Sequence, residues 1–185
     1  MTLRTAAIAI LIVWMFADSM VVFRQKTGDA ENRDRSSLKV LMIGSMLTLW
    51  IGIGLAFTQI GAMHSAPVQI AGLVVLGIGI AVRSTAIAQL GRFHTPNVAI
   101  REDHQLKVTG LYRLVRHPSY LGALIAYLGF SLALGNWLSV VVIVGVMSCL
   151  YRYRIHEEDA AMLAAFGDAY RAYCVRTRRL IPWVY

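Results

Sequence analysis

Between Gly110 and Gly122 the chain reads Gly-Leu-Tyr-Arg-Leu-Val-Arg-His-Pro-Ser-Tyr-Leu-Gly, and beyond two apolar segments it reads Arg154-Ile155-His156-Glu157-Glu158. This places titratable and aromatic groups at both ends of a short apolar hairpin. Lipid accepts such groups only where they are buried together or reach water, so a cluster of this kind at a membrane boundary is a functional candidate. Glu158 can accept hydrogen bonds from hydroxyls or an ammonium; its bland alternative is a carboxylate on a solvated helix face. Tyr112 and Tyr120 offer aromatic walls with polar tips, or simply interfacial anchors. His117 can bind a ligand or cap the helix that follows it. Arg116 and Arg154 have the planar geometry that grips a carboxylate, whereas Arg113 and Arg152 read as topology-setting charges.

The elements that position these residues are membrane helices. Of the 185 residues 57% are hydrophobic and 15% charged, a composition that excludes an ordinary soluble globule. Crossing the hydrocarbon takes about 20 apolar residues in a helix, and Leu3 to Phe23, Val40 to Met63 and Val68 to Leu90 meet that length. Ser119 to Leu134 and Trp137 to Tyr151 are shorter and are joined by the turn pair Gly135-Asn136, which predicts an antiparallel hairpin. The first segment lacks a small-residue cleavage site and is expected to be a retained span. The expected fold is all-α, a polytopic bundle of about five transmembrane helices with a cytosolic C-terminal amphipathic helix. Residues 1–185 form a single domain, with three spans in 1–90 and the chemistry in 91–185.

The net charge of +8 could be a nucleic-acid footprint, but its placement decides otherwise. Of the eighteen Lys and Arg residues, five lie from Arg24 to Lys39, five from Arg92 to Arg116 and six from Arg152 to Arg179. The His64–Pro67 and Gly135-Asn136 connections carry none. The positive-inside bias then puts the N-terminus outside and the C-terminus in the cytosol. Asp18 and Arg83 lie well inside spans at matching depths and are expected to pair. Cys149 and Cys174 show no framework spacing, and His64, His94, His104, His117 and His156 show no metal-ligand spacing, so neither disulfide nor metal is expected.

The Arg24–Lys39 stretch reads as a solvated connector. Gly52-Ile-Gly54 and Gly77-Ile-Gly79 lie inside spans, where small residues let helices approach. The long connection from Gly91 to His117 carries Phe93, His94, Asn97, Glu102, Asp103, His104 and Tyr112, and long ordered connections are usually functional. Pro118 suits a first helical turn, so the fourth span should start there with free N–H groups facing the cytosol. After the fifth span, Ile155, Met162, Leu163, Phe166, Tyr170 and Tyr173 recur on one helical face. Gly167-Asp168 is expected to divide that helix, and Ile181-Pro182-Trp183 to anchor at the interface.

The ordered set Leu90-Gly91-Arg92-Phe93, His104, Gly110-Leu111-Tyr112, Arg116-His117-Pro118-Ser119-Tyr120, Arg154 with Glu157-Glu158, Phe166-Gly167 with Tyr170 and Tyr173, and Ile181-Pro182 resembles the isoprenylcysteine carboxyl methyltransferase family. The resemblance runs from about Arg83 to the C-terminus. It implies a membrane bundle that binds S-adenosylmethionine on the cytosolic side and methylates a lipophilic, possibly prenylated, acceptor entering from the bilayer lipid. It further implies cofactor contacts at Asn97, His104, Gln105, Leu106, Lys107, Tyr112, His117, Pro118, Ser119, Tyr120 and Glu158. Arg154, with Arg116, would meet the substrate. Asn97 departs from the Gln that animal members favour. Relatives that methylate phospholipid amines or small thiols, NADPH-dependent sterol-type reductases, and a noncatalytic membrane subunit are the alternatives.

Overall fold

The structure is a computed structural model that describes residues 2–24, 31–32, 37–94, 99–100 and 106–181. Five helices run through it: α1 (Leu3–Arg24), α2 (Ser37–Ala56), α3 (Ala66–Leu90), α4 (Pro118–Ala133) and α5 (Trp137–Arg176). Four are long and apolar enough to cross a membrane, while α4 has 16 residues. At ~1.5 Å per residue α4 falls short of the ~30 Å hydrocarbon core, so its polar N-terminal end sits within the bundle rather than clear of it. A two-residue antiparallel ribbon pairs β1 (Glu31–Asn32) with β2 (Ala99–Ile100), joining the first and the long connections. The protein is an integral-membrane helical bundle.

α3 and α4 pack along their length, α2 packs on α5, and α1 leans on α3 and α4. The first contact is made by backbone. A Cβ on Gly79 would stand 2.2 Å from the Ala126 nitrogen, and one on Gly129 would stand 2.1 Å from the Leu76 nitrogen. Gly72 and Gly122 are closed off in the same way by Ala133 and Arg83. Gly79 and Gly52 therefore fulfil the sequence expectation of close approach, whereas Gly77 and Gly54 face open space. Beside this seam, Leu76, Phe130, Ile143 and Met147 are fully buried, and Trp14 of α1 tilts onto Tyr127 of α4 at 5.5 Å.

Asp18 and Arg83 do pair, and in two-point fashion: Arg83 Nε donates to Asp18 Oδ1 at 2.9 Å and Nη2 to Oδ2 at 2.7 Å. Arg83 Nη1 also donates to the Ser119 carbonyl at 3.3 Å, so one guanidinium ties α1, α3 and α4 together. A charge-assisted fork of this kind compensates two ions that lipid would otherwise strand.

Three expectations need correction. α2 stops at Ala56 rather than Met63, because Asn136 Nδ2 takes the carbonyls of Leu55 at 3.1 Å and Ile60 at 2.8 Å and pulls the chain into a turn. Asn136, half of the turn pair expected from the sequence, is accordingly fully buried, and its Oδ1 caps α5 by accepting from the Ser139 N–H. Leu163 leaves the apolar face assigned to it and is 39% exposed, while Ile155, Tyr170 and Tyr173 are buried. The fifth span and the amphipathic segment form one helix of 40 residues, kinked at Gly167, where φ is +52°. Its first part is apolar, and the part beyond Tyr151 carries the charges and, after the kink, lies back against the end of α3 through Tyr173 and Tyr112.

The seam makes a prediction. Gly79→Leu should destabilise the bundle by about 1–3 kcal/mol or prevent its assembly, since overpacking at a backbone contact cannot be relieved by a rotamer. Gly77→Leu, two residues away on the open side, should change stability by less than about 0.5 kcal/mol. Thermal unfolding of the two variants in the same detergent makes the comparison.

Candidate active site

Pro118 sets the start of α4, leaving His117 as the residue before the first turn. The His117 side chain does not cap this end, and its ring makes tertiary contacts instead. It sits between two acids of α5: Nε2 is 2.8 Å from Asp159 Oδ1 and Nδ1 is 3.4 Å from Glu158 Oε2. One turn before Glu158, Arg154 points Nε at Glu158 Oε1, 3.3 Å away, and at the Tyr120 hydroxyl, 3.4 Å away. Tyr120 Oη itself donates to Glu158 Oε1. Arg154 is 2% exposed, and its Nη1 donates to Ser37 Oγ at 2.5 Å, which brings the start of α2 to the cluster. The rings of His117, Tyr120 and Tyr151 form a stack, with centroids 5.8 Å and 4.9 Å apart.

Asp159 is the second focus. Its Oδ1 accepts from Tyr170 Oη at 2.5 Å as well as from His117, and its Oδ2 accepts from Arg179 Nε at 2.8 Å. The C-terminal segment is thereby drawn over the start of α4. Val115 bridges Arg178 in parallel, the Arg116 N–H donates to the Arg178 carbonyl at 2.7 Å and the His117 N–H to the Arg179 carbonyl at 3.0 Å. Arg116 adds Nη1 bonds to the carbonyls of Thr177 at 2.6 Å and Cys174 at 3.2 Å.

The electrostatics follow from this enclosure. Burial disfavours the charged form of Asp159, but hydrogen bonds from His117, Tyr170 and Arg179 outweigh it and hold the carboxyl well below the usual range. Burial likewise opposes protonation of His117, and its contacts with Asp159 and Glu158 reverse the sign, raising its pKa above the ordinary value. His94, with no carboxylate at hydrogen-bond distance among the described residues, goes the other way: burial and then the Arg83 charge lower its pKa.

The residues singled out from the sequence divide into three groups. His117, Tyr120, Glu158 and Arg154 converge. Pro118 and Ser119 are buried in the first turn of α4, the latter offering its carbonyl to Arg83. Tyr112 is buried a little apart, donating to the Ala86 carbonyl and accepting from Tyr173 Oη at 2.6 Å. Arg116 meets the C-terminal segment rather than standing beside Arg154, the two being linked through Asp159, His117 and Glu158. Leu106 and Lys107 are partly buried in the stretch leading to Tyr112. Asn97, His104 and Gln105 lie outside the described residues, as do Pro182 and Trp183 of the C-terminal anchor.

Sequence reasoning took Glu157-Glu158 as the acidic pair, yet Glu157 is exposed and the working pair is Glu158 with Asp159. Helical spacing held the signal: Asp159 follows the buried Ile155 by four residues, on the face that was expected to pack. Ser37 had no signal of its own.

The fold and site together define an integral-membrane helical bundle with an ionised cluster where α4 begins, and the comparisons show which family it falls in. Residues 70–164 match the isoprenylcysteine carboxyl methyltransferase (ICMT) family. The chain belongs to that family. It is 36% identical over 118 residues to a protein-S-isoprenylcysteine O-methyltransferase of Schizosaccharomyces pombe, an alignment covering 63% of this chain and 50% of that protein. A probable protein-S-isoprenylcysteine O-methyltransferase of Oryza sativa subsp. indica is 26% identical over 183 residues, covering 92% of this chain and 96% of its own length. The fold matches a solved structure of the eukaryotic intramembrane Ras methyltransferase ICMT with a TM-score of 0.73 at 22% identity, over 98% of this chain and 67% of that one.

The Asp159–His117 contact sets a pH dependence. His117, with a raised folded pKa, contributes stability that is complete below about 6.5 and lost as pH rises through its folded value. Asp159, with a depressed one, contributes stability present above about 3.9 and lost as pH falls further. Asp159→Asn should lower the pKa of His117, moving the alkaline loss of stability to lower pH, and should cost about 3–5 kcal/mol as a broken buried pair. Unfolding temperatures from pH 5 to 9 check both; superimposable profiles would refute the coupling.

Proposed function

We propose that the chain is an S-adenosylmethionine-dependent methyltransferase whose acceptor is a lipophilic carboxylate of the isoprenylcysteine type. What carries the reading is the convergence of His117, Tyr120, Glu158 and Arg154 at the membrane boundary in a member of this family. The donor set fits the cofactor. Arg116 Nε, ion-paired with Asp159 Oδ1 at 4.0 Å, makes no hydrogen bond among the described residues, and Glu158 keeps 23% of its side chain open. A ligand carrying both a carboxylate and an ammonium answers both. Glu158, Tyr120, His117 and the first turn of α4 would hold it, with Tyr112, Leu106 and Lys107 beyond. The contacts at Asn97, His104 and Gln105 rest on the family resemblance.

S-adenosylmethionine supplies an electrophilic methyl group on a cationic sulfonium. The protein's part is then positioning and exclusion of water. An acceptor carboxylate is already ionised near neutral pH, so no side chain need act as a general base. Arg154 would orient that carboxylate, held in place itself by Ser37, Tyr120 and Glu158. The Tyr120–Tyr151 stack walls the cluster from lipid and water, and charge cancellation between acceptor and donor is favoured where water is excluded. Holding two reactants at short range supplies most of what such a displacement requires.

The orientation belongs to the same proposal: the N-terminus lies outside and the site in the cytosol, a reading supported by the Lys and Arg asymmetry. Because Asn136 is structural, the probe of the outer face should be Ile60→Cys, at a position 71% exposed. With Cys149 and Cys174 removed, it should react with an impermeant thiol reagent on intact cells; reaction only after lysis would reverse the topology.

Glu158→Gln should weaken S-adenosylmethionine binding by about 1.5–3 kcal/mol, the worth of a charge-assisted hydrogen bond. Arg154→Lys should leave that binding in place and impair methyl transfer to a prenylated cysteine analogue with a free carboxylate, because an ammonium lacks the planar fork. Equal turnover by wild type and Arg154→Lys would remove Arg154 from the acceptor site. Transfer by wild type to a small thiol or phospholipid amine but not to the acid would overturn the acceptor class, and binding of NADPH in place of S-adenosylmethionine would overturn the reaction.

A further inference from the structure

Away from the ionised cluster, a groove of about 460 Å³ opens between the stretch preceding Tyr112 and the last turns of α5. Leu106, Val108, Ala169 and Ala172 line it with Tyr173 and Thr177, and Arg113 of the turn and Arg176 of α5 both contribute to it. The two arginines are exposed, and neither makes a hydrogen bond or ion pair among the described residues. They contrast with Arg83, Arg116, Arg154 and Arg179, each of which is engaged. Two uncommitted guanidiniums over an apolar floor select an anion with an apolar body, and they disfavour a cationic ligand such as a sulfonium.

Its place in the fold narrows the class. Arg113 closes the 3-10 turn Gly110–Arg113, which is seated on the end of α3: the Leu111 N–H donates to Gln89 Oε1 at 2.8 Å, and Tyr112 Oη reaches the Ala86 carbonyl. α3 ends at Leu90 and α4 begins at Pro118, so the groove lies at the level where the bundle leaves the hydrocarbon. Its apolar character continues outward, with Val108 45% and the neighbouring Leu114 58% exposed. A basic, partly apolar recess at this depth meets phospholipid before it meets any soluble anion.

We propose that this groove is a binding site for an anionic phospholipid, its phosphate gripped between Arg113 and Arg176 and the start of its acyl chains lying on Val108, Ala169 and Ala172. Such a lipid would bridge the turn after α3 to the end of α5 beside the catalytic cluster, without belonging to it.

The test uses the full chain, delipidated in neutral detergent and titrated with dioleoyl phosphatidylglycerol or dioleoyl phosphatidylcholine, with bound lipids counted by native mass spectrometry. One phosphatidylglycerol should be retained in preference to phosphatidylcholine. Its affinity should fall about tenfold for each arginine in R113Q and R176Q, as expected for a lost charge-assisted hydrogen bond. Ala172→Trp, which fills the groove and leaves both charges, should abolish retention as well, and unaltered unfolding temperatures would show that the variants fold. Equal retention of the two lipids, or retention unaffected by the variants, would overturn the proposal. Displacement by glycerol 3-phosphate at matched concentration would replace the lipid by a soluble anion, and displacement by S-adenosylhomocysteine would merge the groove with the cofactor site; either result refutes an independent lipid site.

Discussion

The seating of His117 between Glu158 and Asp159 is the contact on which the rest of this bundle's polar chemistry depends. A short helix beginning inside a membrane protein leaves backbone N–H groups that need partners, and here the His117 side chain does not cap them. Instead the residue before the helix reaches across to α5, and both of its ring nitrogens meet carboxylates. Each acid then recruits its own cations. Glu158 takes Arg154, and with it Ser37 of α2; Asp159 takes Arg179, and with it the C-terminal segment. Four separate parts of the chain are thus registered by one imidazole.

A second fork, Asp18 with Arg83, does comparable work deeper in the bundle and joins the first through Ser119, whose carbonyl it reaches at 3.3 Å. Between them the α3–α4 glycine seam allows the approach that both need, since a single added methyl at Gly79 or Gly129 would collide with backbone. Polar pairing and close packing are therefore not separate contributions here. In lipid there is no hydrophobic drive to bring helices together, so contact area and satisfied charge carry the association.

Much of this was legible in the sequence, for reasons that can be named. The helices announce themselves by apolar length, the hairpin by Gly135-Asn136, and the Asp18–Arg83 pair by the cost of either ion alone at a shared depth. The start of α4 follows from Pro118. What stayed hidden depends on distant partners. Nothing local says that Asn136 is a buried clamp on α2 rather than an open turn, because its acceptors lie at Leu55 and Ile60. Ser37 looks like one more hydroxyl in a connector until Arg154 is placed against it. Asp159 was overlooked because adjacency drew attention to Glu157, although the helix turns that side chain outward.

The parallel strap formed by Val115–His117 with Arg178 and Arg179 has a consequence for biosynthesis. Arg116 and Thr177 are separated by 61 positions, so the carbonyls that will satisfy Arg116 and His117 are made only after all of α4 has been synthesised. Until then the head of α4 lacks those partners. The head of α4 and the strap that closes over it are consequently completed at different times, ordered by translation.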